Sequence, residues 1–220
     1  MKYGLIFDVD GTILDSFDAI YYSLDTVLKR YGVLDFSREE LRSLMDYMSF
    51  MEIIRFLMEK YNVDNESMAE LSSQYVNYFI ESIKTIMRPF PGIIDLIHDL
   101  SFHFTMGIIS YNPTFILQEQ VRHFSLDRYF KFIRGYEEID GKKRNGINEF
   151  SRLYDIDKGK IAFIGDQPKD IIEAKAAGVI SIAVSYGISR IDLLEKESPD
   201  YIARDPQHLK SIINEIFHYD

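Results

Sequence analysis

The sequence has no cysteine, which excludes disulfides, thiolate metal sites and a cysteine nucleophile and fits a reducing compartment. It is short of positive charge. With 25 basic residues against 35 acidic ones, the net charge is −10, the wrong sign for a surface that captures nucleic acid by neutralising its phosphates. A local basic pocket for one phosphate is compatible with that balance. No apolar run approaches the ~20 residues of a membrane span, and the first one, Leu5 to Phe7, runs directly into acids, unlike a signal peptide. Internal repeats and low-complexity segments are also missing. These absences lead to an expectation of a cytoplasmic protein with no nucleic-acid or membrane partner.

What is present is an ordinary globular composition, 46% hydrophobic and 27% charged over 220 residues, enough for one large domain or a domain with a smaller insertion. The chain opens on a short apolar strand, Leu5 to Phe7, too brief for a helix and rich in strand formers. From Ser16 the texture is helical. Ile20, Leu24, Val27, Leu28 and Tyr31 share one face before Gly32. Ser37 with Glu40 reads as a capping box ahead of Leu41, Leu44, Met45 and Met48. Ile53, Ile54, Leu57 and Met58 mark a third helix, and Met68 to about Lys84 a fourth.

Beyond the cluster Arg88-Pro89-Phe90-Pro91-Gly92 strands and helices alternate. Helices are expected at Ile93–Leu100, Pro113–Phe124, around Ile147, Phe150 and Leu153, at Pro168–Ala177 and at His208–Phe217. Strands are expected at Phe104–Ile109, Phe130–Ile133, Lys160–Ile164, Val179–Val184 and Tyr201–Ala203. The fold class is therefore α/β: a Rossmann-like parallel sheet with helices on both faces, formed by residues 1–15 and 88–220, and interrupted by an α-helical insertion over 16–87.

In an open parallel sheet, ligands bind beyond the carboxyl ends of the strands. The residues there are Asp8 and Asp10 after the first strand, Ser110 after the Phe104 strand, Lys142 and Lys143 after the Phe130 strand, and Asp166 with Asp170 after the Lys160 strand. Strand alternation would put Asp8 and Asp10 on one side before Gly11 turns the chain. Two like charges held that close call for a cation, and Mg2+ takes such carboxylates together with phosphate oxygens. Each residue also has a plainer reading. Asp-x-Asp-Gly is a common polar loop, Ser110 can begin a turn, Lys142-Lys143-Arg144 is a solvated charge run, and Asp166 or Asp170 can cap the helix at Pro168. What independent turn chemistry does not explain is acid, acid, hydroxyl, base and acid recurring at successive strand ends.

Asp8, Asp10, Gly11 and Thr12, followed by Leu14, Asp15 and Ser16, match the first motif of the haloacid dehalogenase superfamily; Ser110 matches its second, and Gly165, Asp166 and Asp170 its fourth. Over nearly its whole length the chain resembles that superfamily's phosphatase branch, with a helical cap after the first strand, close to the phosphoglycolate phosphatases. Two departures stand out: Tyr111 separates Ser110 from Asn112, and no proline follows the lysines. The resemblance implies Asp8 as nucleophile and Asp10 as acid and base. Mg2+ would be held by Asp8, Asp166, the Asp10 carbonyl and Asp170. Thr12, Ser110 and a lysine would bind the phosphoryl group, with Lys142 favoured over Lys143 by counting back from Asp166.

A Mg2+-dependent hydrolase of a small phosphorylated metabolite, acting through an aspartyl-phosphate as a monomer or homodimer, is the function so implied. A sugar phosphomutase shares most of these motifs, although Gly165 before Asp166 is more usual in the hydrolases. A metabolite-binding protein of the same fold without catalysis is the non-enzymatic alternative. The presence of Asp10 argues against a dehalogenase, and neither Lys29 nor Lys60 stands in a context that suggests a Schiff base. Asp46, Tyr47 and Ser49 mark a loop that either faces the site or is a solvated helix end.

Overall fold

The computed structural model describes residues 2–48, 50–63 and 68–219, so Ser49 lies outside the described residues. The chain divides into two compact units, Met1–Asp15 with Arg88–Asp220, and Ser16–Met87.

The larger unit is built on a six-stranded sheet in the order β5-β4-β1-β6-β7-β8, every neighbouring pair parallel. Its strands are β1 (Gly4–Phe7), β4 (Thr105–Ile109), β5 (Phe132–Arg134), β6 (Ile161–Gly165), β7 (Ile180–Val184) and β8 (Tyr201–Ala203). The flanking helices are α5 (Ile93–Leu100), α6 (Thr114–His123), α7 (Lys143–Tyr154), α8 (Pro168–Ala177), α9 (Ile191–Lys196) and α10 (Pro206–Phe217). β1 lies between β4 and β6 and is wholly buried, as expected of a short unbroken apolar strand that helices cover on both sides. A small antiparallel ribbon, β2 (Leu14–Asp15) with β3 (Arg88–Pro89), sets Asp15 opposite Arg88. Two-residue strands carry no periodic signal, and sequence patterning does not reveal this ribbon or the six-residue α9.

One part of the core packs α7 against the sheet through Ile147 and Phe150, with Ile6, Ile109, Phe132 and Phe163 in the same cluster and Tyr154 at its margin. Leu153, expected inside, is 59% exposed. At about 100° per residue it stands roughly 120° round the helix from Ile147, whereas Tyr154 falls back in line with it. The strand expected at Phe130 to Ile133 begins later, at Phe132.

The smaller unit contains α1 (Phe17–Arg30), α2 (Arg38–Met45), α3 (Phe50–Lys60) and α4 (Met68–Thr85). Helices α1 and α4 meet through the buried hydroxyls of Ser23 and Ser82, 3.2 Å apart. Ser37 accepts the Glu40 backbone N–H at 3.1 Å, but Glu40 does not complete a capping box. Its carboxylate takes Lys60 Nζ and the Tyr61 hydroxyl instead, each at 2.9 Å, and so ties α2 to the end of α3. Among the described residues no helix is long and apolar enough to cross a membrane.

Candidate active site

β1 ends at Phe7, and the backbone of Asp8 extends the ladder by one bond, donating to the Ile164 carbonyl at 2.8 Å. The chain then coils on itself. The Val9 carbonyl accepts the N–H groups of Ile13 and Leu14, and Gly11 N–H donates to the Leu14 carbonyl. Gly11 adopts φ +75°, and a Cβ there would collide with the Asp166 carboxylate, so only glycine fits this turn.

Two strand ends, those of β1 and β6, and the head of α8 supply the acidic centre. Asp8, Asp166 and Asp170 are all buried, and each offers an oxygen within 4.8 Å of the others. Asp170 is held in place by double duty. One oxygen accepts Gln167 N–H at 3.1 Å in the capping box of α8, and the other accepts Lys143 Nζ at 2.6 Å. Asp166 accepts the Ile188 N–H at 2.8 Å on Oδ2, while its Oδ1 is buried with no hydrogen-bond partner.

Lys143 supplies the opposing charge. It is 1% exposed, and its Nζ lies 2.9 Å from Asp8 Oδ2 as well as 2.6 Å from Asp170. Of the two lysines it is Lys143 that reaches the acids, which corrects the preference for Lys142. Lys142 is exposed and occupies the N-cap of α7 with extended backbone. Adjacent residues at a helix start point in different directions, so only one of the pair can face inward.

Burial pushes Asp8 up to about 7; Lys143 opposes that rise, and the neighbouring acids add to it. Burial likewise raises Asp166 well above the usual carboxylate range, helped by Asp170 and Asp8. For Lys143 burial acts to lower the value, but Asp170 and Asp8 outweigh it and hold the ammonium charged. Three buried carboxylates facing one ammonium, with a carboxylate oxygen left unpartnered, form a donor set suited to a hard, oxygen-seeking cation such as Mg2+.

Asp10 takes different partners. Its Oδ2 accepts Asn112 Nδ2 at 2.5 Å and its Oδ1 accepts Gln120 Nε2 at 2.9 Å. The carboxylate thus lies outside the acidic triad, in line with the resemblance, which gives the metal the Asp10 carbonyl and not its side chain. Ser110 is buried and accepts the Asn112 N–H at 3.1 Å. Thr12 Oγ1 is buried without a hydrogen-bond partner, a hydroxyl available to an incoming anion.

Three contributors escaped sequence reasoning. Gln120 lies on the buried face of α6 beside Ile116, Leu117 and Val121, and an amide within an apolar stripe was the available signal. The loop after β7 covers the acids: Tyr186 donates to the Thr12 carbonyl at 3.1 Å, Ile188 N–H holds Asp166, and a Cβ on Gly187 would collide with Asp166 and the Gly11 carbonyl. Tyr111 sits between two cations, with Lys143 Nζ 4.6 Å and Lys169 Nζ 4.4 Å from its ring centre.

A family model described as haloacid dehalogenase-like hydrolase matches residues 5–184. Two curated relatives are similar over nearly the full length. A phosphoglycolate phosphatase of Vibrio parahaemolyticus is 22% identical, with 95% of each chain covered. A 5'-nucleotidase of Pseudomonas aeruginosa is 28% identical, with 96% of this chain and 95% of that one covered. Among solved structures, a haloacid dehalogenase-like family hydrolase from Streptococcus pneumoniae superposes with a TM-score of 0.81 at 23% identity, covering 96% of this chain and 98% of that one.

Proposed function

Because the chain belongs to the haloacid dehalogenase-like hydrolase family, we propose that it is a Mg2+-dependent phosphatase of small phosphorylated metabolites that works through a phosphorylated Asp8. The observation that carries this reading is the division of labour between the two aspartates: Asp8 beside Lys143, Asp166 and Asp170, and Asp10 held apart by amides. Asp8, Asp166 and Asp170 would hold the metal. Bound there, Mg2+ supplies the positive charge that lets an anionic carboxylate approach an anionic phosphoryl group.

The reaction runs in two displacements. An Asp8 oxygen attacks phosphorus, the bond to the ester oxygen breaks, and Asp10 gives that oxygen a proton as it leaves. Asp10, now ionised, takes a proton from a water whose oxygen attacks the same phosphorus, and the Asp8 oxygen departs with inorganic phosphate released. Lys143 neutralises charge on Asp8 and the transferring group, and the Thr12 and Ser110 hydroxyls donate to phosphoryl oxygens. The relatives' names point to substrates of the phosphoglycolate and nucleotide kind. We assign the helical unit 16–87 the role of a cap that selects among them.

The test is release of p-nitrophenol from p-nitrophenyl phosphate with and without Mg2+, in the wild type and in Asp8→Asn, followed by a screen of phosphorylated metabolites. Activity that requires Mg2+ and Asp8 supports the proposal. Equal rates in both proteins would remove Asp8 as nucleophile.

A further inference from the structure

The Asp10 carboxylate is gripped by two amides that also grip each other. Asn112 Nδ2 donates both to Asp10 Oδ2 at 2.5 Å and to Gln120 Oε1 at 3.0 Å, while Gln120 Nε2 donates to Asp10 Oδ1 at 2.9 Å. This closed ring fixes the orientation of each amide. Turning Gln120 round would set its oxygen against a carboxylate oxygen and two N–H groups against one another.

Gln120 is fully buried, on the face of α6 that carries Ile116, Leu117 and Val121. For packing alone a methionine or leucine would serve that position better, because a buried primary amide destabilises the fold unless its groups are partnered. Its partners here are Asp10 and Asn112. A half-buried carboxylate close to a cation-binding triad and a buried ammonium would otherwise be drawn towards them.

We propose that Gln120, with Asn112, is a positioning residue that holds Asp10 in place for proton exchange with the ester oxygen and then with water. The proposal rests on the phosphatase reading and deepens it. Each carboxylate oxygen can accept two hydrogen bonds, so the clamp leaves room for the proton that Asp10 must carry. In the first displacement, the Asp8 oxygen–phosphorus bond forms, the phosphorus–ester oxygen bond breaks, and the Asp10 proton passes to the departing oxygen. A leaving group that is stable as an anion needs little of that proton, whereas a more basic one needs it fully.

The experiment compares kcat/KM for p-nitrophenyl phosphate and phenyl phosphate in the wild type, Gln120→Met and Asn112→Ala, with Asp8→Asn as the inactive control. In Gln120→Met the value for phenyl phosphate should fall at least about tenfold further than that for p-nitrophenyl phosphate, within the range general acid catalysis supplies. Asn112→Ala, at a half-buried loop position, should show the same leaving-group discrimination and carries the comparison if Gln120→Met does not fold. Equal losses on both esters would make Gln120 a packing residue and overturn the inference while leaving the phosphatase reading intact. A wild type that hydrolyses neither ester, or an Asp8→Asn variant as active as the wild type, would overturn both.

Discussion

Lys143 Nζ lies 2.9 Å from Asp8 Oδ2 and 2.6 Å from Asp170 Oδ1, so one buried ammonium bridges the proposed nucleophile and an acid at the head of α8. The neighbouring Lys142 is exposed. Lys143→Met should therefore reduce kcat/KM by about a hundredfold or more, and removing one partner of a buried ion pair should cost about 3–5 kcal/mol of stability. Lys142→Met should leave both within about twofold and 0.5 kcal/mol, as for an ordinary surface change. Steady-state kinetics and denaturant unfolding of the two variants check this.

Clustered carboxylates are a liability without a cation. If the triad holds Mg2+ as proposed, the metal should raise the melting temperature of the wild type, because a ligand of the folded chain alone stabilises it. Asp166→Asn removes one of the three buried carboxylates and with it the cost of burying an ionisable acid among like groups. In EDTA that variant should melt no lower than the wild type, and added Mg2+ should shift it little. Differential scanning fluorimetry with and without the metal reads both effects.

The fold's response to pH has a sign set by burial. Asp8 is pushed up to about 7 from an ordinary value of 3.8, and Asp166 moves the same way. Between about pH 4 and 7 the folded chain then holds more protons than the unfolded one, so stability falls as pH rises through this window. With EDTA present to remove metal, urea midpoints should decrease from pH 4.5 to pH 7 by an amount that Asp8→Asn reduces. A slope unchanged by the substitution would show that Asp8 does not contribute.

Gly187 offers a test of the loop after β7. A Cβ there would collide with the Asp166 side chain and the Gly11 carbonyl. Gly187→Ala should displace Asp166 and weaken Mg2+ binding about 10–100-fold, the usual range for disturbing the groups that orient a ligand. Isothermal titration with Mg2+ measures it directly.

The acidic centre was legible because β1 and β6 are apolar runs that end abruptly in carboxylates, and a parallel sheet gathers such ends on one side. The choice between Lys142 and Lys143 was not, since it depends on the turn at which α7 begins, and one residue of helix phase reverses which side chain faces the acids. Gln120 was hidden by its neighbours. Ile116, Leu117 and Val121 mark a core face so strongly that the single amide on it passes as a tolerated exception, and its partner Asp10 lies 110 positions away in sequence. Tyr111 displaces Asn112 from the position next to Ser110, one of the two departures from the family's motifs. In the fold that displacement sets Asn112 against Asp10.

Asp8 is proposed to carry the phosphoryl group between the two displacements. Acid-quenching the enzyme during turnover of p-nitrophenyl phosphate and mapping its peptides by mass spectrometry tests this most directly. The predicted result is one added phosphoryl group on the peptide at Asp8, discharged by neutral hydroxylamine as an acyl phosphate is, and missing in Asp8→Asn. Turnover that leaves Asp8 unmodified while another residue carries the phosphate would rule out Asp8 as the nucleophile.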